Sequence, residues 1–338
     1  MPFIKINKQN FFNNLDIIAQ KTKSKDKIAL VLKDNAYGHG LETMADLASE
    51  YGIKKAVVQN EREARSITSL FDDILVLADI PKKPLPNIHY TINSLEQIER
   101  FPKQTKVELK VDTGMHRNGI EPSELEKAFA AIAKQQLDLV GIFSHHRSAD
   151  ELTSEWFWQK ENFKKVKSRS LELAKRYGFA HLRFHHDNSA SLMRTQNFRE
   201  DIARVGIAAY GCLEMPKAFK TDTLKPVLSL YADKIATKKL PKGARVGYGG
   251  AHRLKKPATL STYDIGYGDG FLRCLSHNYT TPKGCKIAGR ISMDNSSFYS
   301  EEESLLIFED AREVAKMAGT ISYEVLTALK PEIPRKVL

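Results

Sequence analysis

The sequence predicts an α/β protein, with a TIM-type (β/α)8 barrel over residues 1–225 and a mostly β domain over residues 226–338. Three observations carry this reading. From residue 28 to about 211, short apolar runs alternate with amphipathic helical stretches, the pattern of buried parallel strands joined by helices. No GxGxxG follows the first run, which argues against an open dinucleotide-binding sheet. After about residue 225 the helical periodicity gives way to short runs broken by Gly, Pro and Asp, as expected of strands joined by turns.

The expected barrel strands, in order, are IALVL (28–32), KAVVQ (55–59), DILVLAD (73–79), HYTI (89–92), KVELKV (106–111), LVGIFSH (139–145), LRFHHD (182–187) and ARVGIAAYG (203–211). Eight such strands close a (β/α)8 barrel. HYTI is the weakest of them. Helical patterns separate the runs at 41–52, 61–71 and 122–135. The last opens on Pro122 and Ser123 and repeats Leu125, Phe129 and Ile132 at helical spacing. In the second domain, LSLYADKIATKKLPKG, VGYGGAHR, ATLSTYDIGYGDG, TTPKGCKIAGRISMD and SSFYS read as short strands and turns.

The bulk numbers exclude several classes. A chain of 338 residues exceeds one ordinary small core. No apolar run nears the roughly 20 residues of a membrane-spanning helix, and MPFIKINKQN carries no secretory h-region, so a cytoplasmic protein is expected. The net charge is +11, but the lysines are scattered among acids and apolar faces. With no basic stripe interleaved with aromatics, nucleic-acid binding is not expected. Cys212, Cys274 and Cys285 are odd in number and widely spaced, which favours free thiols over a disulfide framework.

In this fold chemistry sits at the C-terminal ends of the strands. The first end gives Lys33, followed by turn-prone Asp34 and Asn35. A partly desolvated lysine there suits either imine formation or phosphate binding. The fifth end gives Lys110 and, in a loop bracketed by glycines, Arg117. The sixth gives Ser144, His145 and His146, and the seventh gives His185, His186, Asp187, Asn188 and Ser189. The eighth contains Arg204, Gly206 and Ile207. Loops after strands 7 and 8 commonly hold phosphate. No HxH or HExxH spacing occurs, so no metal site is expected.

KDNAYGHG (33–40) resembles the cofactor-lysine motif of bacterial alanine racemases, K-x-[ND]-A-Y-G-H-G. The resemblance continues in order through KVDTGMHRNG (110–119), FSHHRSADE (143–151), HHDNSASL (185–192), RVGIAAYG (204–211), GYGDG (266–270), GRISMD (289–294) and SYEVL (322–326). It implies pyridoxal 5'-phosphate as cofactor, held by Lys33 as a Schiff base, and alanine as substrate, with D-alanine going to peptidoglycan. Tyr37, Ser189, Tyr323 and the N–H groups of Gly206 and Ile207 would hold the phosphate. Arg204 would face the pyridine nitrogen, and His145 would support it from beneath the ring. Arg117 would lie near the cofactor phenolate and the substrate carboxylate, oriented by Lys110, a lysine that is carbamylated in many family members.

The resemblance further implies a homodimer with shared sites. Tyr267, the second proton donor, would come from the partner subunit together with Met293 and Asp294, the Met293 N–H helping to bind the substrate carboxylate. The departures are Asp34, His116, Gly268 and Asn295. Of these, His116 and Gly268 bear on substrate range.

Overall fold

The computed structural model describes residues 1–219 and 223–338. Its first strand, β1 (Phe3–Ile6), alternates half-buried and buried residues and lies in the sheet of the second domain, outside the barrel. The division expected at residue 225 is therefore crossed at the N-terminus. Helix α1 (Lys8–Thr22) follows, capped by the Asn7 side chain, which accepts from Asn10 N. It buries Phe11, Leu15 and Ile18.

All eight expected barrel strands form. They are β2 (Ile28–Val31), β3 (Lys55–Val58), β4 (Asp73–Val76), β5 (Ile88–Ile92), β6 (Lys106–Lys110), β7 (Asp138–Phe143), β8 (Arg183–His185) and β9 (Ala203–Val205). The weak HYTI run makes up the last four residues of β5, all five of whose residues are buried. The strands pair in parallel in the order β8-β7-β6-β5-β4-β3-β2-β9. Two backbone bonds span the remaining gap: Asp201 N donates to Phe184 O at 3.1 Å and Arg204 N to Asp187 O at 3.0 Å. Each buried Ile, Val or Leu of these runs contributes about 1.5–3 kcal/mol, so the apolar runs themselves hold the barrel.

Between β2 and β3 lie α2 (Lys33–Tyr37) and α3 (Leu41–Tyr51). In α2 the four residues Asp34, Asn35, Ala36 and Tyr37 have φ of +54, +55, +52 and +52, a left-handed turn. Each such residue costs about 1–2 kcal/mol, and contacts of the following residues offset part of that cost. Asn35 Oδ1 accepts from Leu41 N at 2.8 Å, and His39 Nδ1 donates to Tyr37 O at 2.9 Å. His39 is fully buried and stacks on Tyr210 at 4.4 Å.

Helix α4 (Glu61–Ser66) is shorter than the expected 61–71. Asn87 takes the carbonyls of Thr68 and Phe71 at 2.9 and 3.0 Å, which ends the helical ladder early. The 122–135 pattern forms as a 3-10 turn and α5 (Leu125–Lys134). Then come α6 (Glu155–Tyr177), which the sequence reading did not single out, and α7 (Ser189–Arg194). The eighth run is corrected too: the strand stops at Val205, and residues 206–211 curl into turns such as Ala209 N to Gly206 O at 2.8 Å.

The second domain is built on β10 (Leu228–Leu240), one strand of 13 residues where shorter ones were expected. After β11 (Arg245–Val246) and β12 (His252–Arg253) come β13 (Ala258–Tyr263), β14 (Ser296–Phe298), β15 (Ser304–Phe308) and β16 (Arg335–Val337). The sheet runs β14-β13-β10-β1-β16, with β15 also on β10. Helices α8 (Ala311–Ala318) and α9 (Ser322–Thr327) are additions to an otherwise β plan. Helix α9 seats against the end of α2, where a Cβ on Gly38 would meet Leu326 O at 2.0 Å. Arg335 also donates to Gly38 O at 2.8 Å. Among the described residues, no helix is long and apolar enough to cross a membrane.

Candidate active site

Three segments meet at the mouth of the barrel. Tyr37 sits at the end of the left-handed turn, buried, with its hydroxyl against Gly206, where a Cβ would approach it to 2.6 Å. Only glycine fits there. Ser189, at the start of α7, accepts with its Oγ from Gly206 N at 3.1 Å and Ala208 N at 3.3 Å, and Ile207 between them is buried. The Tyr323 ring, on α9, lies 5.7 Å from that of Tyr37. Burial raises both phenol pKa values, so both remain donors. Hydroxyl and amide donors thus converge where β8 and β9 end.

Beside them is a concentration of positive charge. Arg204 is buried and donates to Ser144 O at 2.6 Å and His185 O at 3.3 Å, with His145 Nδ1 at 3.5 Å. Burial pulls its pKa down to about 10, which still leaves it charged at neutral pH. Burial likewise takes His145 down to about 3, followed by the charges of Arg204, Lys110, Arg117 and Lys33. Four cations from three strand ends, those of β2, β6 and β9, therefore act on one neutral imidazole. Lys33 Nζ lies 3.0 Å from Asp34 and its side chain is a third exposed. Lys110 is buried and donates to Asn118 Oδ1. Burial and then Arg117 and Arg204 lower its pKa to about 8. Arg117 itself is exposed.

Below this layer the barrel interior holds charges that the strand-end reading missed. Glu108, fully buried on β6, bonds Arg183 and His185 on β8, and Arg183 also pairs with Asp73 on β4. His185 passes the contact on to Arg204 through Nδ1. A neutral His185 with its proton on Nε2, toward Glu108, satisfies both partners. Gly141 makes the room, since a Cβ there would sit 2.8 Å from Glu108 Oε2. The signal was available in the period-2 alternation of KVELKV and RFH, which turns Glu108, Arg183 and His185 to the same side as Lys110.

Tyr267, Met293 and Asp294 form a second group, apart from the first. Tyr267 N donates to Ser292 O at 3.0 Å and Gly268 N to Met293 O at 2.8 Å, so the two turns are buttoned together. Tyr267 and Met293 are 41% and 55% exposed, large side chains held outward, with the Arg273 guanidinium 6.0 Å from the Tyr267 ring. Among the described residues, no hydrogen bond, ion pair or ring contact ties this group to the barrel mouth of its own chain.

Known proteins bear on both groups. The family described as "Alanine racemase, N-terminal domain" matches residues 6–214, and "Alanine racemase, C-terminal domain" matches residues 227–337. A protein named alanine racemase from Nitratiruptor sp. is 44% identical over 335 residues, covering 99% of each chain. One of the same name from Campylobacter concisus is 39% identical over 340 residues, covering all of both. Among solved structures, an alanine racemase from Clostridium difficile superposes with a TM-score of 0.89 at 27% identity, covering 100% of this chain and 95% of that one. A histidine racemase from Leuconostoc mesenteroides superposes at 0.87 with 22% identity over 100% and 98%. That likeness speaks for the fold only. Matches that run end to end through both domains, and take in the strand-end residues above, place the chain in the alanine racemase family.

Proposed function

We propose that the protein interconverts L- and D-alanine with bound pyridoxal 5'-phosphate, using Lys33 and Tyr267 as the two proton-transfer groups. D-alanine made this way supplies peptidoglycan synthesis. The observation that carries the reading is the cluster of Arg204, Lys110, Arg117 and Lys33 around His145. Such a field attracts an anionic cofactor and a carboxylate substrate.

The residues at the mouth fit that cofactor. A phosphate only accepts hydrogen bonds, and Tyr37, Ser189, Tyr323 and the Gly206 and Ile207 N–H groups can all donate. Having no Cβ, Gly206 leaves its backbone bare beside Tyr37. Lys33 offers an amine next to this cradle for covalent attachment of the aldehyde. When bound, pyridoxal phosphate supplies a conjugated ring that spreads the electron pair left on Cα when its proton departs.

Lys33 would take or return the proton on one face of the substrate Cα. Arg204 would lie toward the ring of the bound cofactor and keeps its own proton, because a guanidinium near pKa 10 does not yield it at neutral pH. A charged Arg204 there would offer the cofactor a hydrogen-bond donor and no acid, which would favour prompt return of the proton to Cα. Arg117 pairs with the substrate carboxylate, and Lys110 positions it. His145 packs beneath Arg204 and holds its orientation.

The opposite face needs a second acid–base group. Tyr267 is exposed, rigidly mounted and remote in contacts from its own barrel, which suits delivery to the mouth of a second copy in a two-fold homodimer. Met293 and Asp294, fixed beside it, would enter with it, the Met293 N–H adding a donor for the carboxylate. Purified protein loaded with pyridoxal phosphate and given pure L-alanine should reach equal amounts of the two enantiomers by chiral chromatography. L-alanine left unchanged would overturn the assignment.

A further inference from the structure

Both histidine pairs at the strand ends are split by the sheet. His145 and His185 face the barrel axis, where they meet Arg204 and Glu108. His146 and His186 face outward, under α6, with the His186 ring 4.6 Å from Phe163 and the His146 ring 6.4 Å from Trp156. Each is only 4% exposed. Among the described residues, none of their four ring nitrogens has a hydrogen-bond partner. Four unpaired nitrogens in a buried aromatic setting are costly unless something compensates them.

Asp187 supplies the third group. Its Oδ1 lies 3.7 Å from His146 Nε2 and 3.7 Å from His186 Nε2. One atom from each residue can be chosen so that all three lie within 4.8 Å of one another. Ligands of a tetrahedral zinc ion, each about 2.0–2.1 Å from the metal, stand roughly 3.3 Å apart. Small side-chain rotations therefore bring the three to bonding distance.

We propose that His146, His186 and Asp187 bind a zinc ion, separate from the cofactor site and on the outer side of the same strand ends. Two imidazoles and one carboxylate form a donor set suited to zinc and poor for magnesium or calcium, which take oxygen ligands. The fourth tetrahedral position is left for water.

The surroundings are those of ligand-orienting groups. Glu200 Oε1 lies 3.6 Å from His186 Nδ1, and Glu200 Oε2 is buried without a partner. A carboxylate receiving the Nδ1 proton fixes the tautomer in which Nε2 presents its lone pair to a metal. Asp187 is held in place, because its Oδ1 also accepts from Ser191 Oγ, which in turn accepts from Trp156 Nε1 at 2.8 Å. The ion would tie the ends of β7 and β8 together beneath α6. Lacking HxH or HExxH, the site is invisible to motif reading; its ligands come from the segments that follow two strands.

The test uses holoenzyme stripped with a chelator, dialysed, and titrated with zinc chloride alone. One zinc per chain should be retained, and Tm should rise with zinc and fall again on chelation. X-ray absorption at the zinc edge should show only nitrogen and oxygen ligands near 2.0–2.1 Å, with imidazole scattering. Affinity should fall at least about tenfold in His186→Ala and in Asp187→Asn. If either variant fails to fold, the wild-type absorption spectrum still decides. Substoichiometric zinc, unchanged affinity in folded variants, or sulfur scattering near 2.3 Å from an ion on exposed Cys274 would each overturn the proposal.

Discussion

His185 Nε2 and Glu108 Oε2 lie 2.6 Å apart, and neither side chain has any exposed surface. Around this contact the barrel interior carries an unbroken series of polar contacts, Asp73–Arg183–Glu108–His185–Arg204, in which the neutral His185 imidazole links the charged Glu108 and Arg204. Opposite charges hold Glu108 well below the usual carboxylate range against the pull of burial. Breaking a buried pair on one side leaves the other charge uncompensated, at a cost of about 3–5 kcal/mol. Glu108→Leu should therefore destabilise the protein by about that much in urea unfolding. Racemisation should slow as well, since His185 would lose the partner that orients it toward Arg204. A stability change under about 1 kcal/mol would show that the series is not an energetic unit.

Lys33→Ala should abolish covalent attachment of pyridoxal phosphate and racemase activity together. The amine stands beside the donor cradle at a strand end, and Lys110, the other lysine near the mouth, is engaged by Asn118. Borohydride reduction of the loaded wild type followed by peptide mass spectrometry should place the label on Lys33. A label elsewhere, or full activity in the variant, would contradict the assignment.

Folding should lose stability below pH 6.5 partly through His39. Burial lowers its folded pKa from 6.5 to about 4, so between those values the unfolded chain binds a proton that the folded chain does not. The stabilisation is complete above pH 6.5 and declines as pH falls toward 4, a loss on the order of 3 kcal/mol. His39→Gln should flatten the pH dependence of the unfolding midpoint in this window. Parallel wild-type and variant curves would mean that His39 titrates normally.

Lys110 is poised to take up carbon dioxide. A carbamate forms on a neutral amine, and a pKa of about 8 leaves roughly a quarter neutral at pH 7.5, against about one part in a thousand for a free lysine. A carbamate would exchange the repulsion between Lys110 and Arg117 for attraction. Protein equilibrated with 13C-bicarbonate should show one carbamate resonance that Lys110→Arg lacks. Identical spectra would leave Lys110 a plain cation.

How much of this was legible follows from which residues announce themselves locally. The barrel strands are continuous apolar runs, so period and composition were enough, even for HYTI. Lys33, Lys110 and Ser189 stood out because they lie at or just past the ends of such runs, and Arg204 because it is a charge inside one. Glu108 and Arg183 were hidden inside strands, where only the alternation of faces distinguishes a buried charge from an exposed one. The join of β1 to β10 and β16 was hidden too. It pairs residues more than two hundred positions apart, and nothing in FIKI specifies its partner. The curl after Val205 escaped because GIAAYG is as apolar as a strand. Its turn is imposed by Tyr37 against Gly206, a contact between distant segments.

The arrangement of Lys33 and Tyr267 makes a quantitative prediction about subunit mixing. If the two groups act on opposite faces of Cα but come from different chains, Lys33→Ala and Tyr267→Ala should each be nearly inactive alone. A dimer with one chain of each kind has one site lacking both groups and one site with both intact. Random reassortment of equal amounts makes half of all dimers mixed, each with one working site of two, so about a quarter of wild-type activity should return. Tyr267→Ala should also be lopsided by itself. Lys33 would still exchange the Cα proton of one enantiomer with deuterium from solvent, while conversion to the other stalls. The two variants would be unfolded and refolded together, mixed dimers confirmed by mass, and D-alanine formation from L-alanine measured. Confirmed mixed dimers with no recovered activity would mean that both groups serve the same chain, or that Tyr267 moves no proton.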